Sequence, residues 1–417
     1  MKRYAEYKDS GIEWIGEIPK AWEAKRLSHL FGFGRGASIS KENRTENGIP
    51  CIHYGGIHFQ YGFSVNPKTD DVWCVNAEWA FNTPKALLHQ GDFMFADTSE
   101  DVEGSGNFTY FNSTEKAIAG QGIILLRPVE NFVYRYMAYM FDSINFRRQI
   151  QSSVYGVKVF HPTQTILRKC FSLLPTIQEQ KIIAAYLDRK TAAIDALIAD
   201  KLRLIDLLKE KRQALISEAV TKGLDPTVPM KDSGVEWIGE IPEAWEVKRL
   251  KNSAKICNGQ EYKNFEVEEN GIPVYGSGGA FALSSKTIHD NPSVLLGRKG
   301  TINKPLYVIP PFWTVDTMYY TDVYSNCDAE FLFYLCTTIK FDYFQYGSAV
   351  PSMTQKDLGN IKFSFPKKEE QIKIVDCIKA KTSKMDTLIA DIQTQIEKLK
   401  EYRQSIISEA VTGKVKI

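Results

Sequence analysis

The chain has 417 residues, 43% of them hydrophobic and 24% charged, with a formal net charge of +2. That length supports about two to four domains with substantial cores, and near-neutrality means that any nucleic-acid contact must come from local basic faces. Seven cysteines without a CxxC pair point to a reducing compartment. MKRYAEYKDSG carries no apolar signal core and no apolar run approaches the roughly 18 residues of a membrane span, so a soluble, cytoplasmic protein is expected.

Residues 1–27 open the chain as a strap. Tyr7 to Leu27 reads YKDSGIEWIGEIPKAWEAKRL and returns from Met230 to Leu250 as MKDSGVEWIGEIPEAWEVKRL, with four of twenty-one positions changed. Such self-similarity outranks any local reading. Turn formers (Asp9, Ser10, Gly11, Gly16, Pro19) among Trp14, Ile15, Ile18 and Trp22 predict a loop-rich strap laid on a core. The repeated tryptophans are alternatively an exposed partner site. Asp9 with Glu23 and Lys25, and Asp232 with Glu246 and Lys248, superficially fit the acid-then-ExK pattern of Mg-dependent nucleases, but without framing strands to aim the carboxylates at one metal.

A first body follows over 28–175, rich in aromatic and β-branched residues with Gly, Asn and Pro punctuation, which predicts many short strands and one helix near Asn131–Gln151. Cys51, His53 and His58 invite a zinc assignment, yet a fourth ligand at suitable spacing is missing, so buried strand side chains are the default and no metal is predicted. The segment 176–223 is free of Gly and Pro from Thr176 to Lys222. It holds apolar residues at four- and three-residue steps: Ile194, Ile198, Ile205, Leu208, Leu215 and Ala219. This is a coiled-coil seam, interrupted by Lys201 and Arg212, and a polar seam residue costs stability and can fix register. At about 1.5 Å per residue, a helix of this length is a rod on the order of 70 Å long.

The second repeat has its strap in 224–250, a body in 251–366 with a helix predicted near Asp328–Gln345, and a long helix in 367–417. The last has its seam at Met385, Ile389, Ile392, Ile396, Leu399, Ile406 and Ala410, interrupted by Arg403. From Met385 to Thr412, seventeen of twenty-eight positions repeat those of Ile194 to Thr221. The predicted fold class is α+β: two α/β globular bodies separated by two long, mutually packed, antiparallel coiled-coil-like helices with an internal pseudo-two-fold repeat. Strap and helix are duplicated while the bodies keep a frame and change their loops. The repeat therefore implies two alike partners and two unlike ligands.

The doubled order of a strap with IPxxWE, a variable body, a proline followed by QEQ or EEQ, and a helix ending in SEAVT resembles the specificity subunit of type I restriction-modification systems. The carriers are Ile18-Pro19 with Trp22, Ile241-Pro242 with Trp245, Glu179-Gln180, Glu370-Gln371 and both helices. Gly347 to Pro366 is also similar to the closing segment of that family's recognition domains. The resemblance implies two target-recognition domains, each reading half of a bipartite double-stranded DNA target, with helical spacers that dock two methyltransferase subunits, joined by restriction subunits. It implies no catalytic residue here: no P-loop and no Asp/Asn-Pro-Pro-aromatic tetrad occurs, and S-adenosylmethionine, ATP and Mg would belong to partners. Partner and spacer positions are then Glu179, Gln180, Glu370, Gln371, Ile198, Ile205, Leu208, Leu215, Ile389, Ile396, Leu399 and Ile406.

Reading a base edge takes paired donors and acceptors, whereas other basic residues hold phosphates. Candidate DNA contacts in body one are Arg35, Lys41, Arg44, Tyr54, Thr98, Ser99 and Lys158. In body two they are Tyr275, Ser277, Arg298, Lys299, Thr301, Ser348, Ser352, Thr354 and Gln355. Each is equally a solvated loop residue by sequence alone. The alternatives are a two-headed coiled-coil scaffold for two protein ligands, without salt-dependent DNA affinity, and a stand-alone Mg-dependent nuclease.

Overall fold

The computed structural model describes residues 2–12, 14–156, 158–341 and 351–417. The chain divides into two compact units, one of Met1–Asp200 with Gln395–Ile417 and one of Lys201–Thr394. The division falls within the two long helices rather than at their ends.

Those helices span Ile177–Lys222 and Lys368–Val411, 46 and 44 residues. Both start right after a Pro-x step, with carboxylates in the first turn (Glu179; Glu369 and Glu370) where the N-terminal end of the dipole favours negative charge. Both stop at a glycine of positive φ, Gly223 at 80° and Gly413 at 69°, a conformation that costs a Cβ-bearing residue energy. Along the seam Ile194, Ile205, Ile392, Ile396 and Ile406 are buried, while Ile198, Leu208, Leu215, Ile389 and Leu399 are half-buried. The interrupting arginines each meet an aspartate. In the first unit Arg403 Nε donates to Asp195 at 2.9 Å, and in the second Arg212 Nε lies 3.0 Å from Asp386 Oδ1. Asp195 and Asp386, like Arg212 and Arg403, are equivalent positions of the two repeats, so each unit carries the same pair.

The strap is rich in loops, as its turn formers suggested, and also carries short strands. Tyr7–Asp9 pairs antiparallel with Glu17–Pro19, and Glu23–Arg26 pairs antiparallel with Phe171–Leu174. The second copy repeats both ladders, Met230–Asp232 with Glu240–Pro242 and Glu246–Arg249 with Lys362–Phe365. The turn formers occupy the connection of a short hairpin, and the next strand finds its partner far along the chain, which no local pattern reveals. Trp22 and Trp245 are buried at 0% and 1% exposure, whereas Trp14 and Trp237 remain 38% and 42% exposed. Each strap thus packs one tryptophan and leaves the other half in solvent.

Body one holds a five-stranded sheet in the order Phe31–Arg35, Ile123–Pro128, Phe93–Ala96, Phe108–Phe111, Ser64–Val65. Its four-stranded sheet runs Ile118–Ala119, Ile49–Ile52, Cys74–Val75, Arg44–Thr45. Body two has two four-stranded sheets: Ala254–Asn258, Met318–Val323, Ser293–Gly297, Leu306–Val308, and Glu266–Val267, Gly279–Ser284, Ile272–Gly276, Trp313–Thr314. Gly36 and Gly259 follow the first body strand at equivalent places. An added Cβ would lie 1.8 Å from Gly120 O and 2.1 Å from Val315 O, so the crossing of two backbones excludes any side chain there.

The helix predicted over Asn131–Gln151 is two, Tyr134–Asp142 and Ile144–Gln151, because Ser143 leaves helical geometry and its Oγ caps the second at Phe146 N–H. In body two Ala329–Cys336 is helical, capped by Asp328; residues 342–345 of the predicted span lie outside the described residues. The core of the first unit is dominated by Phe31, Phe93, Phe95, Phe108, Phe141 and Phe146 in edge-on and tilted contact, an arrangement that adds to simple area burial.

All seven cysteines are free thiols, and burial pushes the Cys51, Cys170 and Cys327 thiols up to about 12. Since the thiolate is the reactive form, iodoacetamide at pH 8 should modify the half-buried Cys74, Cys257 and Cys377 of the native chain. Peptide mass spectrometry should find Cys51, Cys170, Cys327 and Cys336 unmodified until denaturant is added. Early alkylation of Cys51 or Cys170 would contradict the packing.

Candidate nucleic-acid interface

Three of the body-two segments singled out by sequence meet. Lys299 and Ser352 form an isolated antiparallel bridge. Gly300 N–H donates to Pro351 O at 2.9 Å, and Met353 N–H to Arg298 O at 3.0 Å. Arg298 N–H donates to Thr317 O at 2.9 Å, and Ser277 N–H to Thr317 Oγ1 at 3.3 Å. Thr317 therefore ties Tyr275–Ser277 to Arg298–Thr301, a role with no signal in the sequence reading. Ser277, Thr301 and Ser352 are half-buried in this seam of loops, and Tyr275 is half-buried against the Leu295 and Phe312 cluster.

Body one repeats the arrangement. Ser99 and Phe160 exchange hydrogen bonds of 2.9 and 2.8 Å, which brings the exposed Lys158 beside the Asp97–Ser99 loop. Asp97 N–H donates to Gly122 O at 3.0 Å, and Tyr54, 45% exposed, lies under Gly122, where a Cβ would come within 2.8 Å of its ring. Arg35, Lys41 and Arg44 are exposed. Burial, with Lys41 and Arg44 nearby, holds His53 below the usual imidazole range, so it is neutral at pH 7.

The structure gives several candidates roles within the fold. Ser99 is buried and serves the bridge through its backbone. Thr354 is the N-cap of Gln355–Asn360, its Oγ1 accepting from Asp357 N–H at 3.1 Å and donating to the Asp357 carboxylate at 2.6 Å. The Gln355 amide donates to Ile256 O at 3.1 Å, as Gln164 does to Gly34 O at 2.7 Å in body one. Both glutamines clasp a helix to the first strand of their body, which occupies the amide that a base would need. Arg298 and Lys299 share Asp316: Arg298 hydrogen-bonds it, and Lys299 Nζ lies 3.8 Å from it. A phosphate there would compete with a carboxylate. Ser348 lies outside the described residues.

The glutamate–glutamine pairs expected at partner and spacer positions face inward. Glu179 Oε2 accepts the Trp22 indole N–H at 3.2 Å, and Glu370 Oε1 that of Trp245 at 3.1 Å. Gln180 accepts from Val133 N–H and donates to Pro175 O, and Gln371 accepts from Asp328 N–H and donates to Pro366 O. Both glutamines are buried. The glutamines therefore fasten body, strap and helix start together in each repeat, while Glu179 and Glu370 stay half-buried.

The side chains of the acid-then-ExK pattern and of the Cys–His group are engaged within the fold. Asp9 and Asp232 accept from Gly11 and Gly234 N–H in tight turns. Lys25 is bound to Glu130, and Lys248 to its own strand neighbour Glu246 at 2.7 Å. Cys51 is buried, His53 Nδ1 accepts from Gly56 N–H, and His58 Nε2 and Nδ1 meet Thr98 O and Asn107 Nδ2. Among the described residues no group of three His, Cys, Asp or Glu side chains could hold a metal ion, and no helix is long and apolar enough to cross a membrane. Sequence reading passed over Phe59 and Phe81, 86% and 84% exposed in body one, where Tyr155 is also 86% exposed. Aromatic faces in such a place suit stacking or interface contacts, and Phe59 and Phe81, each in a helix of five or six residues, belong to no periodic pattern that would flag them.

The family described as "Type I restriction modification DNA specificity domain" matches residues 19–206 and again 242–398. The chain belongs to this family. Two copies of a DNA specificity domain fit the two loop clusters, one in each repeat. A putative type I restriction enzyme MjaX specificity subunit of Methanocaldococcus jannaschii is 26% identical over 97% of this chain and 96% of its own. The type I restriction enzyme MjaVIII specificity subunit of the same organism is 27% identical over 67% of this chain and 70% of its own. A chain solved in work on complex assembly and conformational transition of the type I R-M system shares the fold with a TM-score of 0.71. It is 15% identical, with 95% of this chain and 99% of that chain covered. As a specificity subunit, this protein recognises DNA for a restriction-modification system, and the scaffold and nuclease alternatives are not favoured.

Proposed function

We propose that this chain is the non-catalytic reader of a type I restriction-modification complex, with body one and body two each reading one half of a bipartite duplex target. The carrying observation is the contrast between repeats: strap ladders, Trp–Glu bonds and Gln clasps recur bond for bond, while the loops over Asp97–Ser99 and Arg298–Thr301 differ in residue and partner. Two alike surfaces suit two methyltransferase subunits, and two unlike loop clusters suit two unlike half-sites. Restriction subunits would complete the assembly, and S-adenosylmethionine, ATP and Mg would be held by those partners.

Sequencing methylated bases in host DNA with and without the gene tests this reading, alongside co-purification with the products of neighbouring genes. Methylation at one split motif should vanish with the gene. Exchange of the Arg298–Thr301 and Pro351–Met353 loops should then alter one half of that motif and leave the other unchanged. Unchanged methylation together with no co-purifying methyltransferase would overturn the proposal, and a change in both halves would overturn the assignment of one body to each.

A further inference from the structure

The two Trp–Glu bonds sit in unlike surroundings. In the first unit Glu179 is satisfied twice, by Trp22 through Oε2 and by Tyr4, whose hydroxyl donates to Oε1 at 2.5 Å. The Tyr4 ring stands edge-on to Trp22 with centroids 5.8 Å apart. Close by, the helix-ending Gly413 lies against Trp22 and Pro19. In the second unit Trp245, Glu370, Pro242 and Gly223 recur in the same relation, but the place in sequence corresponding to Tyr4 is Thr227, which turns away to bond Asp225 at 2.6 Å. What remains is a cavity of about 500 Å³ walled by Trp245, Pro242, Gly223, Leu224 and Val228, with Glu370 in its lining. Glu370 Oε1 takes the indole, and among the described residues Oε2 accepts no hydrogen bond.

We propose that this cavity is a binding site for a tyrosine side chain carried by another polypeptide, seated as Tyr4 is seated in the first unit. The apolar walls take the ring, Trp245 offers its edge or face to it, and the free carboxylate oxygen accepts the phenol O–H. A hydrogen bond to a charged acceptor is stronger than a neutral one, and a Trp–Tyr contact of this kind is a common interface anchor. A peptide-borne occupant is favoured because the filled counterpart is the side chain of a polypeptide tyrosine seated on the equivalent Trp–Glu pair. This inference rests on the second unit alone and stands or falls apart from DNA reading.

The test uses the full chain labelled with 5-fluorotryptophan and fluorine NMR, the Trp245 resonance being assigned with Trp245→Phe and that of Trp22 with Trp22→Phe. N-acetyl-L-tyrosinamide should shift Trp245 saturably and leave Trp22 in place. N-acetyl-L-phenylalaninamide, lacking only the hydroxyl, should bind about fivefold or more weakly, the solvent-open cavity reducing the full worth of a charge-assisted bond. Glu370→Gln, which keeps an oxygen for the indole, should lose most of that discrimination. Tyr4→Ala should open the counterpart and make Trp22 respond as well. An unmoved Trp245, equal affinity for the two amides, or binding of p-cresol without binding of the tyrosinamide would overturn the proposal, the last by restricting the cavity to small phenols.

Discussion

Removing Ile205–Lys211 from the central helix together with Thr387–Gln393 from the C-terminal helix should shorten the preferred gap between half-sites by about three base pairs. Each half-site sequence should remain unchanged. The two segments face each other: Arg212 is opposite Asp386, so in an antiparallel register Lys211 falls opposite Thr387 and Ile205 opposite Gln393. Cutting both leaves Asp195–Arg403 and Arg212–Asp386 paired as before. Seven residues are about 10.5 Å of helix at about 1.5 Å each, or about three steps of duplex at about 3.4 Å. A whole heptad changes the phase of the helix by only about 20°, so the seam closes again. Selection from duplexes with randomised gap length reads the outcome. Altered half-site sequence at the old gap would make the helices readers rather than spacers.

Asp142→Ala should destabilise the first unit by about 2–3 kcal/mol and weaken recognition of the half-site read by body one more than that of the other. Asp142, with its side chain 10% exposed, accepts from Arg147 at 3.3 Å, and from Arg403 and Gln404 at 3.4 Å each. Removing one partner of a buried ion group costs about 3–5 kcal/mol, and the guanidiniums, at 21% and 22% exposure, recover part of that from water.

The chain of bonds continues. Arg147 donates to Asn107 Oδ1 at 3.0 Å, which turns the Asn107 amide nitrogen toward His58 Nδ1 at 3.0 Å. His58 Nε2 is thereby the protonated nitrogen and donates to Thr98 O at 2.8 Å. A seam arginine and a recognition loop are joined by fixed hydrogen-bond directions, all within one unit. In the second unit the place of Asp142 is held by Thr337, whose carbonyl accepts from Gln213, the counterpart of Gln404. Among the described residues, that repeat shows no such relay from its seam. Denaturant titration and binding to duplexes mutated in one half-site at a time separate the two effects. Equal loss at both half-sites would leave Asp142 a general stability residue.

Much of the architecture was legible in the residues because repetition and periodicity are properties of the chain itself. The Gly- and Pro-free runs from Thr176 and Lys367 end within a residue of the helices, since a helix is closed by bonds between near neighbours. The seam isoleucines follow from a period of three and four, and the equal strap copies announced two equal settings for Trp22 and Trp245. Loops were legible as loci: Asp97–Ser99 meets Phe160 within body one, and Arg298–Thr301 meets Pro351–Met353 within body two.

Individual roles were not legible, because they depend on partners far away in sequence. Nothing near Gln355 shows that Ile256 O will take its amide, and nothing near Arg298 shows that Asp316 will neutralise it. Glu179 and Glu370 read alike, yet only the folded chain brings Tyr4 onto one and leaves the other with a free oxygen beside a cavity. The tandem order, the two long helices and the contrast between constant frame and variable loops follow from the residues alone. The tertiary structure alone decided which polar groups are consumed by the fold and which remain for a ligand, because hydrogen bonds between distant residues follow spatial proximity and leave no period along the chain.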